Sequence, residues 1–269
     1  MSTGPRPLVA FVLLAFLFSW TAWGLLAVLG TEPGLNVGGV LWLLGGLGPP
    51  IAAIAVARFT DDGQSPRQLL RQILRWRVGW RWYAIAIGLP GLVVISALVI
   101  DAYARGSATP LPHAEFVLFF VGVFVVNTII GGGLEEIGWR GFALPRLQAS
   151  LDAFTASLVI GVVWMIWHAP LFVVPGVVQA DLPVLPFVVQ GIALAVVFTW
   201  VYNGTRGSLL LVILLHGSVN TWLSAVWLLR DDVDPLTFWT MALLVCAIAV
   251  GLVVVYGAKN LSRTVRQTV

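Results

Sequence analysis

Six polar side chains stand inside long apolar runs of this chain. Glu135, Glu136 and Arg140 lie in GGGLEEIGWRG, His168 lies in VVWMIWHAPLF, and His216 and Asn220 lie in LLLVILLHGSVNTW. In hydrocarbon each is costly unless paired or solvated, so such residues mark chemistry by default. Two of the three histidines of the chain are among them. A glutamate with a histidine can hold a water molecule and remove its proton, making a nucleophile for a carbonyl carbon. A second histidine with an asparagine amide can donate hydrogen bonds to the oxyanion that then develops. The set suits hydrolysis of an amide bond inside a membrane. A metal variant stays open, with Glu135, His168 and His216 as three ligands of a divalent ion such as zinc and water as the fourth. The compact His-Glu-x-x-His motif, Gly-x-Ser-x-Gly, a phosphate loop and a dinucleotide fingerprint are all absent from the sequence.

Helical spacing sorts these residues. Glu136 and Arg140 are four apart with the acid first, the favoured orientation for a pair on one face. Read locally, they form a structural ion pair. Glu135 is turned about 100° away and has no partner nearby in sequence, which leaves it for catalysis. His216 and Asn220 share one face at the same spacing, as do Trp164 and His168. Gly131, Gly132 and Gly133 are expected to let the helix unwind or pack closely beside the site. Asn127 is read as packing.

The elements that must carry these groups are membrane spans. Of 269 residues, 59% are hydrophobic and 10% charged, and the mean hydropathy is +0.96. That excludes a soluble globular domain, a disordered chain and, with the single Cys246, a disulfide scaffold. Apolar runs of about 20 residues lie at Leu8–Leu29, Val37–Phe59 (with a break expected at Gly48-Pro49-Pro50), Trp82–Ile100, from Phe116, and at Phe154–Val174, Val184–Tyr202, Ser208–Leu229 and Pro235–Tyr256. The expected fold is all-α: a polytopic bundle of about eight transmembrane helices forming a single integral membrane domain over 1–269. Ser65–Trp82 is expected to form an interfacial amphipathic helix on the cytoplasmic leaflet. With the amino terminus inside, thirteen of the fifteen Lys and Arg residues fall on the inner side, and only Arg105 and Arg230 fall outside. Both termini are therefore expected in the cytoplasm, in the cell membrane. The basic residues lie between apolar runs, so the charge of +3 points to lipid and away from nucleic acid. His113 falls in an outer loop. Counting residues from the inner helix ends puts Glu135, His216 and His168 at similar depths, about 12–21 Å, in a site expected to open toward the cytoplasm.

The chain resembles the CAAX protease and bacteriocin-processing family, the type II CAAX prenyl endopeptidase-like membrane proteins. The family's EExxxR stands as Glu135, Glu136 and Arg140, continuing into Gly141. Its aromatic-xxx-His stands as Trp164 and His168, with Trp164 where the family usually has phenylalanine. Its HxxxN stands as His216 and Asn220, preceded by Thr205-Arg206-Gly207-Ser208. The similar region is about Gly131–Thr221, within a core of about 116–229. The resemblance implies an intramembrane endopeptidase in which Glu135 and His168 activate water, and His216 and Asn220 stabilise the oxyanion. Glu136, Arg140 and Trp164 would support the site. Both a metal-dependent and a metal-free glutamate mechanism are held for the family; the reading taken here requires no cofactor. The implied partners are a peptide or protein substrate, membrane-associated or lipidated, and membrane lipids. A non-proteolytic binding or immunity-type protein, or a carrier, of the same fold is the alternative.

Overall fold

The computed structural model describes residues 6–60, 64–106, 114–229 and 235–269. His113 lies outside these described residues. The chain begins with α1, Arg6–Leu29, an apolar helix without a charge after Arg6. Asn36 caps the next helix, α2 (Val37–Gly46), by accepting a 3.0 Å hydrogen bond from the Gly39 amide. The expected break follows: α3 (Gly48–Phe59) starts on Pro49 and Pro50 and is bent by 49° from α2. Ser19 of α1 closes the gap by donating to the Gly45 carbonyl at 2.7 Å.

The amphipathic segment is shorter than expected. A capping box between Ser65 and Gln68 starts α4 (Pro66–Arg71), a 3-10 turn continues to Leu74, and the helix ends there. Leu69 of its apolar face is fully buried where α4 packs against α3, whereas Leu70 and Leu74 remain exposed. Beyond Leu74 the chain is tied sideways, because the Arg75 carbonyl accepts from Ser208 Oγ at 2.7 Å. Trp80 and Trp82 instead open α5 (Trp80–Arg105).

The fourth span also departs from a continuous helix. α6 (Ala114–Ile129) stops before Gly131, and Gly132 takes φ +114°. A 3-10 turn (Gly133–Glu135), a π-helical turn (Ile137–Ala143) and the short α7 (Leu144–Gln148) complete the crossing, bent by 40°. Unwinding at the glycines is as expected; the loss of regular helix from there to Leu144 is not. Asp152 caps α8 (Ala153–Trp167), accepting from the Thr155 amide at 2.8 Å and its hydroxyl at 3.0 Å. The Thr155 backbone bond holds the Asp152 carboxyl below its ordinary value. Pro170 cannot continue an α-helix, so the span finishes as a 3-10 turn, Ala169–Val173. α9 (Val184–Gly204), α10 (Leu209–Leu229) and α11 (Pro235–Tyr256) follow.

Among the described residues six helices are long and apolar enough to cross a membrane, and up to eight crossings result when each bent pair is one span. The protein is an integral membrane helical bundle. α9 packs between α8 and α11, α10 lies against α5 and α6, and α1 covers α3.

The bundle has two unlike ends. At the arginine-rich end, Gln148 and Asn203 exchange side-chain hydrogen bonds of 3.3 and 2.7 Å. The C-terminal segment is fastened to both: Gln148 donates to the Gln267 carbonyl, Thr264 donates to the Asn203 carbonyl, and Arg266 donates to the Gln148 carbonyl. Nearby Tyr202 donates to Gln72 at 2.6 Å, and Arg146 donates to Gln64 at 2.8 Å. At the other end the connections 30–36 and 174–183 meet, with Gly176 against the Glu32 side chain.

Candidate active site

Three irregular pieces of backbone deliver the polar side chains to one place. Glu135 ends the 3-10 turn, Glu136 joins it to the π-helical turn that carries Arg140, and His168 follows the last residue of α8. His216 and Asn220 come from the regular α10. Glu135, Glu136, Arg140, His168 and His216 are all buried.

Glu136 is the centre of a charged chain. Arg140 Nη1 donates to both of its oxygens, at 2.9 and 3.0 Å, which is the expected pair. His216 Nδ1 lies 2.8 Å from the same Oε1. A carboxylate paired with arginine accepts, so His216 donates from Nδ1 and turns Nε2 away from Glu136. The guanidinium sits between ring faces, 4.4 Å from the Phe198 centroid and 5.0 Å from that of Trp164. Its Nε and Nη2 have no hydrogen-bond partner among the described residues, so the rings substitute for water there.

Glu135 points elsewhere. Its Oε2 accepts from Trp164 Nε1 at 2.8 Å, leaving Oε1 for another partner. The same tryptophan orients His168, whose Nδ1 is 2.8 Å from the Trp164 carbonyl oxygen. A carbonyl only accepts, so Nδ1 carries the proton and the neutral ring leaves Nε2 bare. Asn220 donates one amide hydrogen to the Gly131 carbonyl.

The free atoms converge in front of Gly132. A Cβ at that residue would lie 2.8 Å from His216 Nε2, 2.9 Å from Asn220 Nδ2 and 3.2 Å from Glu135 Oε1. Only glycine leaves that space open, and only glycine readily adopts φ +114°. Gly132 is therefore a site residue, which a reading of the glycine run as a helix breaker alone did not single out. Phe198 was likewise missed, since an apolar residue on an apolar helix carries no signal. Asn127 does more than pack: it donates to Thr221 Oγ1 at 3.2 Å and lines the same cavity as the site.

That cavity has a volume of about 300 Å³. Glu135, Trp164, His168, His216 and Asn220 line it together, whereas Glu136 and Arg140 stand behind its wall. The remaining lining is mostly apolar and comes from α1, α2, α5, α8, α9, α10 and α11. The cavity reaches Pro33 and Gly176–Gln179, and among its described lining residues none belongs to the arginine-rich end. At that end lies the polar lattice of Gln148, Asn203, Thr264, Arg266 and Gln267. As to a metal, no group of three or more His, Cys, Asp or Glu among the described residues is placed to hold an ion.

Fold and site together define a polytopic helical membrane protein with an acid, two histidines and an amide converging in a buried cavity. Residues 115–222 match the family model of the type II CAAX prenyl endopeptidase Rce1-like proteins. Over 141 residues the chain is 28% identical to the CAAX prenyl protease 2 of Methanococcus maripaludis, covering 49% of this chain and 51% of that protein. The chain thus spans about half the length of the curated relative it matches. The resemblance carried by the three motifs holds, and all the motif residues fall inside the matched segment.

Proposed function

We propose that the protein is an intramembrane endopeptidase that hydrolyses a peptide bond with water activated by Glu135 and His168. The observation that carries this reading is the convergence of Glu135 Oε1, His216 Nε2 and Asn220 Nδ2 on the open space at Gly132, at 3.2, 2.8 and 2.9 Å. A water held by Glu135 Oε1 and the bare His168 Nε2 loses a proton to this pair as its oxygen bonds to the carbonyl carbon. The carbonyl π electrons move to oxygen, and the second Asn220 N–H and His216 Nε2–H donate to the oxyanion. When the C–N bond breaks, the stored proton passes to the departing amine. For His216 to donate from Nε2 while also donating from Nδ1, it must be an imidazolium. The charges allow it: two carboxylates, one guanidinium and one imidazolium bring the site to neutrality.

This reading routes no step through a metal. The test is membrane proteomics of cells carrying wild type or Glu135→Gln, with elemental analysis of the purified wild type. New peptide termini present with wild type and missing with the variant are expected, with no stoichiometric metal. Identical termini in the two would overturn the protease reading. One equivalent of zinc, lost in both His168→Ala and His216→Ala, would overturn the metal-free mechanism.

A further inference from the structure

We propose that Gln190 of α9 holds the main chain of the substrate, its side-chain amide pairing with one peptide group near the scissile bond; this rests on the proposed proteolysis. From Val184 to Phe198 (VLPFVVQGIALAVVF), Gln190 is the one residue of α9 whose side chain can hydrogen-bond. On a helix that crosses lipid an amide is costly unless it finds a partner, and the usual partner is a polar group of a neighbouring helix. Other amides of the bundle have one: Gln72 accepts from Tyr202, Gln148 and Asn203 exchange bonds, and Asn127 donates to Thr221. Gln190 does not. Its side chain bonds to none of the described residues, and it is half-buried in the wall of the site cavity.

Its place on the helix ties it to the reaction centre. Phe187, Gln190 and Leu194 follow one another at spacings of three and four, so they share a face, and all three line the cavity. The ring centroid of Phe187 is 5.5 Å from that of His168. Gln190 stands about 4–5 Å further along the axis. An extended chain advances about 3.3 Å per residue, which puts the amide within about three residues of the scissile bond.

A peptide in this cavity has a matching need. The surrounding wall is apolar or aromatic, including Val93, Leu194, Phe187 and Met241. A main-chain N–H or C=O turned toward it loses water and gains nothing. A carboxamide answers both groups at once: Oε1 accepts from a substrate N–H and Nε2 donates to a substrate C=O. Such pairing reads main chain rather than side chain, so it admits different apolar residues. It excludes proline at the paired residue, which has no N–H to give. Because the pair forms away from the reacting carbonyl, it is equally strong before and in the transition state, and it belongs to binding rather than to the chemical step.

The test uses the protein in liposomes and a peptide spanning a Glu135-dependent cleavage site found by the membrane proteomics. A set of analogues replaces each main-chain N–H flanking the scissile bond, one at a time, by an ester oxygen. With wild type, one analogue is expected to raise KM about 10-fold and leave kcat nearly unchanged. Gln190→Met keeps the length of the side chain and removes both polar atoms. It is expected to raise KM for the parent peptide about 10-fold and to treat that one analogue no worse than the parent. Its thermal midpoint should not fall, since the substitution takes an unpaired amide off an apolar helix. Unchanged KM in Gln190→Met would overturn the assignment, as would a set in which no ester raises KM with wild type. Ester and substitution effects that multiply at every position would overturn it too, because the two then act independently. A lowered thermal midpoint would make Gln190 an interhelical tie and refute the proposal. All four results leave cleavage by Glu135 standing. Absence of any Glu135-dependent cleavage removes the protease reading itself, and this subsite with it.

Discussion

Replacing Gly132 by alanine puts a methyl group where the reacting atoms belong. Its carbon would lie 2.8 Å from His216 Nε2 and 2.9 Å from Asn220 Nδ2, both inside the 3.4 Å at which ordinary contact begins. Neither side chain yields freely. His216 is anchored through Nδ1 to Glu136, and Asn220 is held by the Gly131 carbonyl. Restoring contact displaces the two donors by about 0.5 Å each, where a misplacement of about 1 Å is enough for a 10²-fold loss. Turnover is therefore expected to fall about 10- to 10²-fold with little change in KM. Alanine at φ +114° adds about 1–3 kcal/mol of strain to the folded state, which lowers the thermal midpoint as a separate effect. The control is Gly122→Ala, where a Cβ meets nothing within 4 Å and φ is not positive. It is expected to keep wild-type turnover. The assay is peptide cleavage by protein reconstituted in liposomes, with the folded fraction measured in parallel. Wild-type turnover by folded Gly132→Ala would refute the argument that the open space holds the reacting carbonyl.

Trp164→Phe removes the 2.8 Å indole bond to Glu135 and keeps an aromatic wall; at about 1.5–3 kcal/mol for a bond to a charged group, turnover should drop about 10- to 10²-fold. Unchanged turnover would reduce the tryptophan to a wall. Glu136→Gln leaves Arg140 buried without its counter-charge, a loss of about 3–5 kcal/mol, so folded yield after solubilisation should collapse while Glu135→Gln is recovered at wild-type yield. Equal yields would contradict the division between the two acids. Asp152→Ala removes the cap of α8 and should cost about 1 kcal/mol in a thermal unfolding scan. Because the folded carboxyl titrates below its ordinary 3.8, this cap is complete above that value and is lost as pH falls through the lower folded one. The gap between wild type and variant should close on acidification.

Local spacing made much of the fold legible. The Gly48-Pro49-Pro50 break, the glycine unwinding at 131–133 and the Glu136–Arg140 pair all depend on residues a turn apart. What lay hidden depends on residues far apart in the chain. The Glu136–His216 contact spans 80 residues and the Trp164–Glu135 bond 29, and neither leaves a trace in periodicity. A pair that reads as a structural ion bridge thus proves to hold a site histidine as well. The amphipathic segment was legible as a helix, but not the burial of Leu69 against α3, because an apolar face reads the same whichever of its residues meets protein. Cavities leave even less signal, since empty space has no sequence.

The guanidinium of Arg140, clasped by Phe198 and Trp164 and joined to Glu136 and His216, has a consequence for tuning. Dissolved ions screen charges over about 8 Å at physiological ionic strength, but only where those ions can go. They surround the exposed Arg75, Arg77 and Arg81, and they have no access to Arg140, which has no exposed surface at all. Salt and anionic lipid can therefore change how the protein sits in its bilayer, yet the share of the field at the site that Arg140 supplies is set by the fold.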